Sequence, residues 1–181
     1  MNLKVEDLSS KPIKNAERYV EGVLDIVPAE HLRGLTKLVF VDVITEPRIS
    51  ASQRSTLPAL YHPKMGGQMA WGEVATTVLF PRKKITEKLM SRVTVKPNIA
   101  QVVLSLIAQH YHMTLSKGVK KGQLELACRS YTEKYFTKWR ENQGGLRMKL
   151  TKPFRPTLDK WAKKLSKKYK EEMARKKAKG N

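Results

Sequence analysis

Two histidines stand close together in LSLIAQHYHMTL, residues 104–115, and only four occur in the whole chain. Imidazoles spaced four apart on a helix share one face and can chelate Zn²⁺; with an intervening glutamate as general base they can hydrolyse a peptide. His110 and His112 are two apart, so an intact helix turns them to opposite sides. They cannot hold one metal ion between them. A site assembled from distant elements would need other donors, and His62, His110 and Glu125 are the candidates, because two histidines, a carboxylate and a water suffice for catalytic zinc.

Other reactive groups have plainer readings. Cys128 is the single cysteine. It sits on the apolar stripe of a helix, as a buried, inert thiol would, and a disulfide framework is excluded. Glu73 lies in the strand-like run MAWGEVATTV and reads as a carboxylate on the solvent face, with the partner of a histidine as the alternative. YHPKMGGQ has two glycines after a lysine but lacks the spacing of a phosphate-cradling loop. Trp71, Trp139 and Trp161 read as core or helix-face residues. No cofactor motif is present.

The elements that must position these groups come from hydrophobic period. Residues 12–27 repeat apolar side chains every three or four positions and predict a helix, with Ser9 or Ser10 as its cap and Pro12 near its start. LTKLVFVDVI (35–44) is β-branched and predicts a buried strand. Residues 45–56 read as a loop, and ALYHP as a short strand ending at a His-Pro turn. MAWGEVATTVLF (69–80) predicts another strand. A short helix over 86–93 is expected to end before Pro97-Asn98. The apolar run 99–116 is then the central buried helix. Residues 117–122 form a basic loop, and 123–141 an amphipathic helix. Strands and helices are segregated, which predicts an α+β fold: an N-terminal helix, a small mixed sheet of about three strands, a buried central helix with others after it, and a basic C-terminal helix. The domain is expected over 1–146, with 147–181 as a linker and amphipathic helix.

This order resembles the small zincin-like metallopeptidases of the minimal gluzincin type. In those proteins a sheet precedes a helix bearing HExxH, and a later helix supplies a third metal ligand. The likeness covers roughly residues 12–140 and rests on ALYHP, MAWGEV, LSLIAQHYH and QLELACRSY. In the register we place, Ser105 and Gln109 stand at the ligand positions and Leu106 at the base; Glu125 could match the third ligand. No HExxH occurs in the chain. The resemblance therefore implies a non-catalytic relative of that scaffold, with no bound metal.

Charge supplies the partner. Thirty-six Lys and Arg oppose sixteen Asp and Glu, a net of +20. Residues 147–181 alone carry fourteen basic and three acidic residues, a net of +11. Such a balance attracts polyanions. The basic groups expected to touch phosphate are Arg82, Lys83 and Lys84; Lys117, Lys120 and Lys121; and, off the apolar stripe of the tail, Lys163, Lys164, Lys167, Lys168, Arg175, Lys176 and Lys177. The expected partner is DNA or RNA, gripped by its backbone without strong sequence preference, since no base-reading motif is visible. The alternatives are a divergent metal-dependent hydrolase and a protein adaptor using the Trp161 face. No run of eighteen apolar residues and no secretory leader is seen, so a cytoplasmic protein is expected.

Overall fold

The computed structural model describes residues 3–80, 85–116 and 120–143, with the side chains of 85–93 and of Lys121 outside that description. The chain divides into two compact units, Met1–Arg140 and Glu141–Asn181. Beyond Gln143 the second unit, with the expected tail helix, lies outside the described residues.

The class is α+β. Four strands form one mixed sheet: β1 (Lys4–Asp7), β2 (Leu35–Val41), β3 (Ala59–His62) and β4 (Ala70–Ala75), in the order β1-β2-β4-β3. The first three in that order run parallel, and β3 is the antiparallel edge. One strand more is present than expected. β1 is only four residues long, and three of them are charged, so no hydrophobic alternation marks it. Its place comes from pairing with β2, where Glu6 ties Lys4 at 2.8 Å to Lys37 at 4.0 Å.

The helices are α1 (Ala16–Leu24), α2 (Ala51–Arg54), α3 (Thr76–Leu79), α4 (Ile85–His110) and α5 (Leu124–Gln143). α1 is shorter than its period suggests. Its first residue follows Asn15 in the left-handed conformation, φ 66°. Neither serine caps it: Ser9 donates to Asp7, and Ser10 to Asp42. The loop before β3 holds one turn of helix, α2, capped by Ser50. β2 and β4 both stop sooner than expected, at paired positions Val41 and Ala75. There the Thr77 amide and hydroxyl donate to the Asp42 carbonyl at 3.2 and 2.6 Å, turning the chain into α3.

The expected break at Pro97-Asn98 is absent, and α4 runs through Pro97 for 26 residues. A proline inside a helix costs about 3 kcal/mol in propensity and one hydrogen bond. Here burial outweighs it: Ile99, Ala100, Val103, Leu104, Leu106, Ile107 and Ala108 are all inaccessible to solvent. After His110 the helix widens into a π-helical turn, Tyr111–Leu115.

Strand alternation gives the sheet two faces. Leu38, Phe40, Val74 and Tyr61 join α1 and α4 in the main core. Gly72 is on this face, and a methyl group there would fall 2.9 Å from a Leu106 methyl and 3.0 Å from one of Leu38. Only glycine lets α4 come this near. The other face carries Lys37, Val39, Trp71, Glu73, Leu60 and His62 by register.

Candidate functional site

His110 is fully buried at the end of α4. Its Nε2 lies 3.0 Å from the Arg33 carbonyl, which can only accept, so Nε2 carries the proton. Nδ1 then accepts from the Tyr61 hydroxyl at 2.9 Å, and Tyr61 in turn accepts from Thr114 Oγ1 at 3.0 Å. Burial lowers the His110 pKa below its ordinary value and raises that of Tyr61, so both stay neutral. Both ring nitrogens are taken, which leaves no lone pair for a metal.

The neighbouring ligand positions differ in the same way. Leu106 packs into the sheet over Gly72, while Ser105 and Gln109 are half-buried. Glu125 is exposed at the start of α5. His62 follows Tyr61 on β3, so it faces the opposite side of the sheet from the side that meets His110. The three dispersed candidates, His62, His110 and Glu125, are therefore not brought together. Among the described residues no group of three metal-ligating side chains could hold an ion.

His62 belongs instead to a cluster on the outer face. Its ring stacks on Trp71 at 4.0 Å and 6° between planes, and Lys37 Nζ sits 5.1 Å from the Trp71 ring centre. Nδ1 is 3.7 Å from Glu46, and Nε2 is 3.8 Å from Glu73. Those are ion-pair separations, too long for hydrogen bonds, and Nε2 is buried with no hydrogen-bond partner. Glu73 is 1% exposed, not on a solvent face as its setting in the sequence suggested. Its carboxylate accepts from the Thr45 amide at 2.9 Å and from the Thr45 hydroxyl. This fastens the segment after β2 onto the sheet.

Burial raises the Glu73 pKa, but His62 and the two Thr45 donors outweigh it, and the carboxyl is held below its ordinary value. A depressed pKa contributes stability that is present above the unfolded value, near 4.3 for glutamate, and is lost as pH falls through the folded value. Glu73→Gln is expected to cost about 1–3 kcal/mol at neutral pH, and the gap from wild type should close as pH drops below about 4.3. Urea unfolding across that range checks it. A gap that stays constant with pH would mean the folded carboxyl is not ionised.

A third cluster was not legible in the sequence. His31 Nδ1 is 2.9 Å from the Tyr131 hydroxyl, and its ring lies 4.1 Å from that of Tyr111. Tyr135 and His112 complete it. Burial lowers the pKa of both histidines. This is an aromatic seam that joins the π-turn to α5. Cys128 is half-buried, and burial raises its thiol pKa, as the inert reading requires.

Of the basic residues expected to touch phosphate, only Lys120 is described, exposed before α5. Arg82, Lys83, Lys84 and Lys117, the Lys121 side chain, and all those in the tail fall outside the described residues, as does Trp161. No helix among the described residues is long and apolar enough to cross a membrane. The described unit is thus a helix-backed mixed sheet with histidine clusters that are each internally partnered or enclosed. No family model, curated protein or solved structure matches the chain.

Proposed function

We propose that this protein is a non-catalytic, basic binding protein that grips nucleic-acid backbone, built on a scaffold of metallopeptidase-like element order. The observation that carries the reading is the net charge of +20 on 181 residues. Lys4, Lys37, Arg48 and Arg129 each meet a carboxylate, at 2.8, 4.0, 3.9 and 3.2 Å. A surplus of that size releases counterions when it meets a phosphate backbone. The metallopeptidase likeness is supported by element order, with an antiparallel edge strand and a long helix over the sheet. At the position of the general base stands Leu106, which the core encloses.

The test is binding of the full chain to two unrelated duplexes of equal length across a salt series, read by fluorescence anisotropy. Both should bind alike, because phosphate contacts carry no base information, and log K should fall steeply and linearly with log salt. A chain that ignores DNA and RNA at low salt would overturn the reading.

The hydrolase alternative is separated by metal. Protein stripped with chelator and repleted with zinc is expected to retain no stoichiometric Zn²⁺. One tight zinc per chain, lost on Glu125→Ala, would favour the hydrolase instead.

A further inference from the structure

Three parallel strands, β1, β2 and β4, end on the same side of the sheet, and the residues after them frame a cavity of about 380 Å³. The cavity is open to solvent on one side, and its volume is enough for a compact ligand, at the lower end of a range of about 300–1,000 Å³.

Its walls are fixed without a ligand. Asp7 accepts from the amides of Ser9 and Ile13, at 3.1 and 2.7 Å, and holds the segment after β1. Asp42 accepts from the Ser10 amide and hydroxyl, both at 3.1 Å, and ties that segment to the end of β2. The Thr77 bonds to the Asp42 carbonyl anchor the third wall.

What the cavity offers is distinctive. Lys11 and Asp42 both line it, yet neither enters an ion pair among the described residues, with each other or with anything else. Thr76, 8% exposed, lines it as well and brings a hydroxyl. Ile13 and Phe80 supply an apolar wall. One such cation, one carboxylate with lone pairs to spare, one hydroxyl and an apolar surface complement a compact zwitterion. A phosphate would bring like charge against Asp42; a zwitterion meets each charge with its opposite.

We propose that this cavity binds a free α-amino acid with an apolar side chain. The ammonium group donates to Asp42, and the carboxylate meets Lys11 and the Thr76 hydroxyl. The side chain lies on Ile13 and Phe80. The site is independent of polyanion binding, which needs no cavity.

Isothermal titration calorimetry on the full chain tests this, with L-leucine and L-phenylalanine as ligands and AMP and D-glucose as comparators. One equivalent of either amino acid should bind at millimolar concentration or below. Lys11→Ala removes an exposed side chain with no described partner, so the fold should be untouched; affinity should drop about tenfold or more, the scale of one charged contact. Asp42→Asn should drop it as much, though it also loosens the Ser10 segment, and circular dichroism must first show it folded. Thr76→Val should weaken binding by a smaller factor. The proposal is overturned if neither amino acid binds, if Lys11→Ala binds as wild type does, or if AMP or glucose binds more tightly than both.

Discussion

Leu106→Glu is expected to unfold the domain. Leu106 is inaccessible to solvent, belongs to the main apolar core and lies over Gly72. A carboxylate there is an uncompensated buried charge, at a cost of about 5 kcal/mol or more, the same size as the whole stability of many domains. Leu106→Ala should cost about 2–5 kcal/mol, set by how far the cavity collapses. Gly72→Ala pushes on the same packing from the other side, and overpacking of this kind costs about 1–3 kcal/mol. Urea denaturation ranks the three. The glutamate variant places the acid of an HExxH motif in form only, because Ser105 and Gln109 offer no imidazole. Detectable peptide hydrolysis by that variant would refute the scaffold reading, and so would native-like stability.

Deletion of residues 157–181 should have the largest effect on polyanion binding. It removes ten basic and three acidic side chains, a net of +7, and leaves +13. Every phosphate that the shortened chain no longer neutralises flattens the slope of log K against log salt by about 0.9 on duplex DNA. About five such phosphates would flatten it by about 4.5, worth between two and three orders of magnitude in sensitivity between about 50 and 200 mM salt. Replacing Arg82, Lys83 and Lys84 with alanine removes three charges and should flatten it by no more than about 2.7. If the triple variant does more damage than the deletion, the grip lies on the folded domain and not on the tail. If neither changes the slope and a protein partner is lost on Trp161→Ala, the adaptor alternative replaces the nucleic-acid reading.

Legibility in the sequence followed hydrophobic period closely. The β-branched run at 35–41 and the apolar run at 99–110 announced β2 and the core stretch of α4, because each buries a continuous set of side chains. The class followed from their order. Elements whose place depends on a partner leave no such mark. β1 has no pattern of its own, and the ends of β2 and β4 are set by each other. The turn at Thr76–Leu79 is made by bonds to Asp42, far away in sequence. Pro97 misleads because its local cost is visible in the sequence and the burial that offsets it is not.

The sites divide along the same line. That His110 and His112 cannot share a metal is readable from spacing alone. That His110 is tied to Tyr61 and Arg33 is not, since those bonds join residues 49 and 77 positions apart. Glu73, a lone carboxylate in an apolar strand, reads as solvent-facing or as a histidine's partner, and the sequence does not say which histidine. In the fold, Thr45 and His62 close over it from segments that no period connects.

The strand order also sets a sequence of assembly. β1, α1 and β2 make a complete parallel unit by Val41, and β3 and β4 make a local hairpin joined through a tight turn at Met65–Gln68, with Gly66 at φ 57°. Each can form from nearby chain. Neither buries its apolar face alone, and only the pairing of β2 with β4, across some 35 residues, brings them together under α4. Closing that loop comes before its contacts are rewarded, so it should limit the folding rate, placing this chain among the slower mixed domains. A ribosome would release β2 with its neighbour β4 still unmade, leaving an open sheet edge until the hairpin docks.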